Sequence, residues 1–189
     1  MLLFHRLEVS AVLLVASFLL TVGCQQKPKA EPITAPDYVS AESEKVLSDT
    51  KRLIDATLNQ EIDPLLELTH PNTLKMMGGK EKARELMQLI FDQVTALQLN
   101  YDRFVPVGEP KFYRTPQYEF AVIATEAHAT FPDDSLDQKG AMVGMRKVGS
   151  DKWTYVDYND QTKDQIYTIL PELPRNIELP ETLSKLGSQ

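Results

Sequence analysis

The sequence predicts an α+β fold in which N-terminal helices pack on one face of a curved, mainly antiparallel sheet. Three observations carry this expectation. Between residues 38 and 94 the apolar side chains recur every three or four positions, and from residue 97 onward they recur every second position. The two regimes occupy separate halves of the chain instead of alternating, which argues against a βαβ arrangement. A tight turn, Gly149-Ser150-Asp151, separates two apolar runs and signals a hairpin. With 189 residues, 42% of them hydrophobic and 25% charged, the chain has the composition of one ordinary domain with extensions.

The chain opens with His5 and Arg6, followed by a mostly apolar run from Ala11 to Val22 and then Gly23-Cys24. A short positive region, an apolar core and small residues before a cleavage point describe a secretory signal. The run is shorter than the roughly 20 residues that span a bilayer. Residues 25–36, QQKPKAEPITAP, hold three prolines and no apolar period. They predict an unstructured tether, reaching several tens of ångströms at ~3.1 Å per residue.

Val39, Val46, Leu47, Leu53, Ile54 and Leu58 form one stripe, so a helix is expected over 38–59, capped by Asp37 or Ser40 and ended by Asn59. Asp63-Pro64 offers the start of a short helix over 65–68, which Pro71 stops. A further turn is expected over 72–77, and Gly78-Gly79 breaks it. The next helix is expected over 80–94, with Leu86, Leu89, Ile90 and Val94 on one face, widened by Met87 and Phe91.

Leu97, Leu99 and Tyr101 then alternate with polar residues, and Phe112-Tyr113 opens a further piece. The run from Tyr118 to Phe131 is a long strand, apolar on both faces and therefore central. Residues 132–138, PDDSLDQ, are expected as a loop, 140–148 and 153–158 as the two arms of the hairpin, and Asn159 or Asp160 as the cap of a last short helix ending before Pro171. The proline-bearing tail wraps the surface. The domain boundaries are therefore 1–23 signal peptide, 24–36 tether, 37–175 folded domain and 176–189 C-terminal tail.

Net charge is −7 and the pI is about 5.0. Nucleic acid and anionic membrane surfaces both select a basic face, so neither is an expected partner of the domain. Cys24 is the only cysteine, which excludes an internal disulfide.

The residues Leu20-Thr21-Val22-Gly23-Cys24 resemble the lipobox of bacterial lipoproteins, with Thr21 in place of the usual leucine. The resemblance implies a diacylglycerol on the Cys24 thiol, cleavage before Cys24, and a membrane partner reached through acyl chains at ~0.8 kcal/mol per buried CH₂. A plain signal peptide with a chance cysteine and an uncleaved anchor are the competing readings. Gln25, where aspartate would retain the protein, resembles the signal for the outer membrane in Gram-negative bacteria. The implied address is the cell envelope, at the outer membrane facing the periplasm if the cell is Gram-negative.

The stretch THPNTLKMMGGKEKARELM at 69–87, with WTYVDYND and ILPEL, resembles a group of secreted bacterial NTF2-like (SnoaL-like) proteins over most of residues 40–175. This implies a cone-shaped fold. The wider superfamily includes isomerases, dehydratases and domains that only bind, so the fold does not give the function.

His5, His70 and His128 lack metal-ligand spacing, and no metal or cofactor is expected. Gly78-Gly79-Lys80 is not a phosphate loop, because the spacing and the Ser/Thr are missing; it reads as a helix break whose free amides could hold an anion. His70 is expected at a helix C-terminus, where the dipole favours it. Met76, Met77 and Met87 read as core filling, and Lys80, Glu81, Lys82, Arg84 and Glu85 as a solvated helix face.

NTF2-like enzymes resemble one another in placing Asp and His inside the cone. That suggests Asp157 as a base, with His128 or Tyr155 beside it. The plainer reading, Asp157 as a helix cap or surface residue, carries more weight. The expected function is thus a non-catalytic, lipid-anchored domain binding a small ligand or an envelope protein, or forming a homodimer. The alternative is an isomerase or dehydratase using Asp157.

Overall fold

The computed structural model describes residues 28–188. The signal, Cys24 and the first residues of the expected tether lie outside this range. Within it the protein is α+β: five helices and a curved, unclosed antiparallel sheet of six strands.

The helices form where the apolar period of 3–4 predicts them. Helix α1, Pro36–Leu58, starts with Pro36 in its first turn, where a missing N–H costs nothing, and buries Val46, Thr50, Leu53, Ile54 and Ala56. Gln60, at φ 58°, turns the chain into α2, Ile62–Leu68. Helix α3, Pro71–Met76, follows at once. Gly78 and Gly79, at φ 90° and 98°, make the corner that leads into α4, Lys80–Ala96.

Strand β1 is the pair Glu31–Pro32. It is followed by β2, Asn100–Arg114; β3, Tyr118–Phe131; β4, Asp134–Lys147; β5, Thr154–Tyr158; and β6, Leu183–Ser188. The order is β1-β2-β3-β4-β5, all antiparallel. The free edge of β4 is divided: β5 pairs with Ala141–Met145 and β6 with Asp134–Lys139. Two register shifts in β2, at 101–103 and 107–111, bend the sheet. Gly140 is dictated by β5, because a Cβ there would lie 2.4 Å from the Tyr158 carbonyl oxygen.

Three expectations fail here. The segment 132–138 is a strand from Asp134 onward, closed against β3 by the two-residue turn Pro132-Asp133. Its polar side chains hid it, because it pairs through backbone on both edges and buries little. The tail adds strand β6 instead of only wrapping the surface. The tether is ordered from about Ala30: its N–H donates to Asn176 Oδ1 (3.0 Å), its carbonyl accepts from Asn176 Nδ2 (2.8 Å), and Ile33 N–H donates to the Phe112 carbonyl (2.9 Å).

Two apolar cores lie on opposite faces of the sheet. On one face Val46 and Leu53 of α1 and Leu68 of α2 meet Phe112, Ala121, Ile123, Met142, Trp153 and Tyr155. On the other, a 3₁₀ turn Lys163–Gln165, helix α5 (Ile166–Ile169) and the segment to Ile177 lay Ile166, Leu170 and Leu173 on Phe120, Val122, Val143 and Val156.

At the α1 end a buried ionic cluster locks helix to sheet. Arg146 Nε donates to Glu119 Oε2 (2.7 Å), its Nη1 pairs with Glu42 of α1 (2.9 Å), and its guanidinium lies 4.4 Å from the Trp153 ring centroid. Trp153 Nε1 donates to the same Glu42 carboxylate (2.9 Å), and Arg114 pairs with Glu119 from β2. Burial alone would raise the Glu119 carboxyl. The hydrogen bonds from the two arginines outweigh it and hold that carboxyl below its ordinary range.

Candidate functional site

Strand alternation decides which candidates can meet. On β5, Trp153 and Tyr155 point at α1, so Asp157 lies on the same, helix-bearing face. It pairs with Met142 of β4, which pairs in turn with Ile123 of β3. His128 is even-numbered on β3 and shares the face of Phe120 and Val122. It bonds Asp137 through Nδ1 at 2.8 Å and has Asp102 3.9 Å from Nε2, in a charged cluster with Arg103, Glu126 and Lys139 nearby. Asp157 and His128 are thus separated by the sheet, and the expected pair is not formed.

Tyr155 does share a face with Asp157, but its hydroxyl is committed. It donates to Asp49 Oδ2 of α1 at 2.9 Å, and burial together with that carboxylate pushes its phenol well above the ordinary value. It reads as a strut between sheet and helix. His70 is also structural: it directly follows the C-cap of α2, as expected, but its side chain serves the next helix as the N-cap of α3, with Nδ1 accepting from Asn72 N–H at 3.2 Å.

The surroundings of Asp157 are unusual. Its side chain keeps a large water-accessible surface, yet the protein packed around it pushes its carboxyl up to about 6, against a bond from Asn159 Nδ2 (2.6 Å) that acts the other way. Accessible surface decides what can reach the carboxylate, so Asp157 is available.

A cavity lies on this side of the sheet. It measures about 330 Å³ and is walled by Leu58 of α1, Ile90, Phe91 and Val94 of α4, Leu99, and Tyr101 of β2, with the polar side chains of Thr57, Gln60 and Asn100 among them. Tyr101 links it to Asp157: its phenol is pushed up by burial and by the Asp157 charge. The Tyr101 ring stacks on Phe104, with centroids 5.8 Å apart, which gives the wall an aromatic surface.

The cavity exists because α4 stands off. This helix packs mainly against α2 and α3, and of its seventeen residues only Ala83 and Phe91 are buried. Its expected apolar face is real, but Leu89 and Ile90 are 54% and 52% exposed. A helix draws most of its stability from burying such a face. An open stripe of this kind beside a cavity marks a place where something else packs.

Among the described residues no group of three His, Cys, Asp or Glu side chains is placed to hold a metal ion, and no helix is long and apolar enough to cross a membrane. Sequence reasoning missed Tyr101 and Leu58 as site residues, because only the fold brings the start of β2 beside the end of α1. Comparison with protein-family models, with curated proteins and with solved structures finds no match to this chain.

Proposed function

We propose that this chain is a lipid-anchored module of the cell envelope, an NTF2-like cone that binds a small apolar ligand between α4 and the sheet without transforming it. The observation that carries this reading is the exposed apolar face of α4 at the rim of a 330 Å³ cavity. That size lies at the lower end of small-molecule sites, and such sites combine apolar walls with a few polar groups that fix orientation. Here Tyr101, with Thr57, Gln60 and Asn100, supplies the polar groups. The ligand is therefore an apolar body with one or two hydrogen-bonding groups.

The test uses Ile90→Glu. Ile90 is half exposed, so the change leaves stability within about 0.5 kcal/mol. It places a charge in the cavity wall and is expected to reduce binding of a neutral apolar fluorescent probe, Nile red, at least tenfold. Unchanged probe affinity in a folded Ile90→Glu protein would remove the reading.

One observation favours a second reading, an isomerase or dehydratase. A water-accessible carboxyl lifted to about 6 is suited to moving protons near neutral pH. Its polar partner would be Tyr101, since His128 faces away and Tyr155 is bound to Asp49. An enolisable ligand recovered from deuterated water would then carry deuterium, and Asp157→Asn would abolish the exchange. Recovery without deuterium supports binding alone.

A further inference from the structure

The segment following Cys24 is held far more tightly than its composition predicts. Ala30 is only 4% exposed and is gripped at both its N–H and its carbonyl by Asn176. Glu31 and Pro32 pair with Arg114 and Tyr113 at the end of β2. Only residues 25–29 separate Cys24 from this strap. At the ~3.5 Å per residue of a fully extended chain, the strap lies within about 20 Å of the sulfur.

The cavity is at the other end of the same strand. Tyr101 stands thirteen residues before Arg114 on β2. At about 3.3 Å per residue that is roughly 40 Å, shortened somewhat by the two bulges. A leash of about half the body's length keeps the strap end close to the bilayer and leaves most orientations with the cavity end farther out.

Charge acts in the same direction. Lys27 and Lys29 flank the strap on the side of the acyl chains, and a basic residue near an anionic surface contributes about 1 kcal/mol. The cavity end carries Asp92, Asp102, Asp133 and Asp134. Of its basic residues, Arg103 and Lys139 are engaged with Glu126, at 3.6 and 3.0 Å, and Lys185 stands opposite Asp137 in the β4–β6 register.

We infer that the strap sets the direction of the site: the Arg114 end of the sheet is held at the bilayer, and the α4 cavity opens toward water. The ligand then enters from the aqueous phase and is not drawn out of lipid. This rests on acylation of Cys24 as proposed above.

The test uses the full-length lipidated protein in vesicles of phosphatidylethanolamine and phosphatidylglycerol that carry a headgroup acceptor dye. Gln117→Cys places a donor dye in the β2–β3 turn at the strap end, and Asp133→Cys places one in the β3–β4 turn at the cavity end. Both residues are exposed. Energy transfer to the membrane is expected to be several-fold stronger from position 117. Inserting twelve Gly/Ser residues between Lys29 and Ala30 is expected to weaken transfer from 117 and bring the two positions closer together.

Equal transfer from both positions, stronger transfer from 133, or a ratio unaffected by the insertion would overturn the inference. Failure of the anchoring itself is separately visible: the parent protein, with no introduced cysteine, would then take up dye at Cys24 and would not float with the vesicles.

Discussion

At the scale of single residues, Asp157 concentrates the open chemistry of the molecule. Its folded pKa, about 6, lies above its ordinary value of 3.8. Between those values the native state binds more protons than the unfolded chain, so this group makes stability fall as pH rises from 4 to 6. Asp157→Asn removes that penalty. The variant is expected to match the parent near pH 4 and to exceed it above pH 6, by less than about 1 kcal/mol because water reaches the carboxylate and screens it. Urea unfolding at the two pH values measures the difference, and the carboxyl carbon resonance of the parent is expected to titrate near 6. A midpoint below 4.5 would show that the surrounding protein does not crowd the group. Strand parity in the sequence already set Asp157 beside Trp153 and Tyr155, and that was right. The same parity separates His128 from Ile123 and Thr125. It was not decisive beforehand, because nothing local to β3 says which of its two apolar faces receives α1.

At the scale of elements, the short helix α3 depends on one imidazole. His70 is buried between α2 and α3, and its Nδ1 must be unprotonated to accept the Asn72 N–H. Burial lowers its pKa below 6.5, and Glu172, the charged group facing it, opposes the shift only partly. The neutral ring therefore contributes stability above pH 6.5 that is lost as pH falls through the folded value. His70→Ala is expected to cost at least about 1 kcal/mol at pH 8, the worth of an N-cap, and less at pH 5. A cost that stayed constant between those pH values, followed by thermal unfolding, would mean that the ring only fills space. Elements with an apolar period are legible in the sequence: β3 spans the expected Tyr118–Phe131, α1 starts two residues before and ends one residue before its expected bounds, and α4 runs two residues longer than expected. Those without one are not. The start of β4 and all of β6 hold through backbone pairing, with charge pairs, among the described residues, only between β4 and β3, and β1 is two residues fixed by an asparagine 146 positions from Ala30. Periodicity also gave the apolar face of α4 correctly while giving no sign that the face stays uncovered, since burial is decided by what packs opposite.

At the scale of the whole molecule, the sheet is held from both faces, and the two sides are closed by distant parts of the chain. Helices α1 and α2 close one face, and the segment from Asn159 to Ile177 closes the other, so a tenth of the chain covers one whole face of the sheet. The two ends of that segment carry different loads. Leu170 and Leu173 are fully buried against the sheet, whereas in β6 Leu183 and Leu186 are exposed, Leu186 by 68%. Truncation after Glu181 removes β6 and leaves the covered core intact. It is expected to lower stability by no more than about 1–2 kcal/mol and to keep the cooperative transition. Leu173→Ala, a single buried truncation, is expected to cost about 2–5 kcal/mol, more than losing the entire strand. Removing everything after Gln165 uncovers Phe120, Val122, Val143 and Val156 together and releases the Asn176 grip on Ala30, so that the shortened chain is expected not to fold. Urea unfolding followed by Trp153 fluorescence ranks the three variants, since that ring is buried on the opposite face and reports the sheet as a whole. If loss of β6 costs more than Leu173→Ala, the division of labour is the reverse: the far half of β4 needs its second partner, and the sheet is held by its edges more than by the cores on its faces.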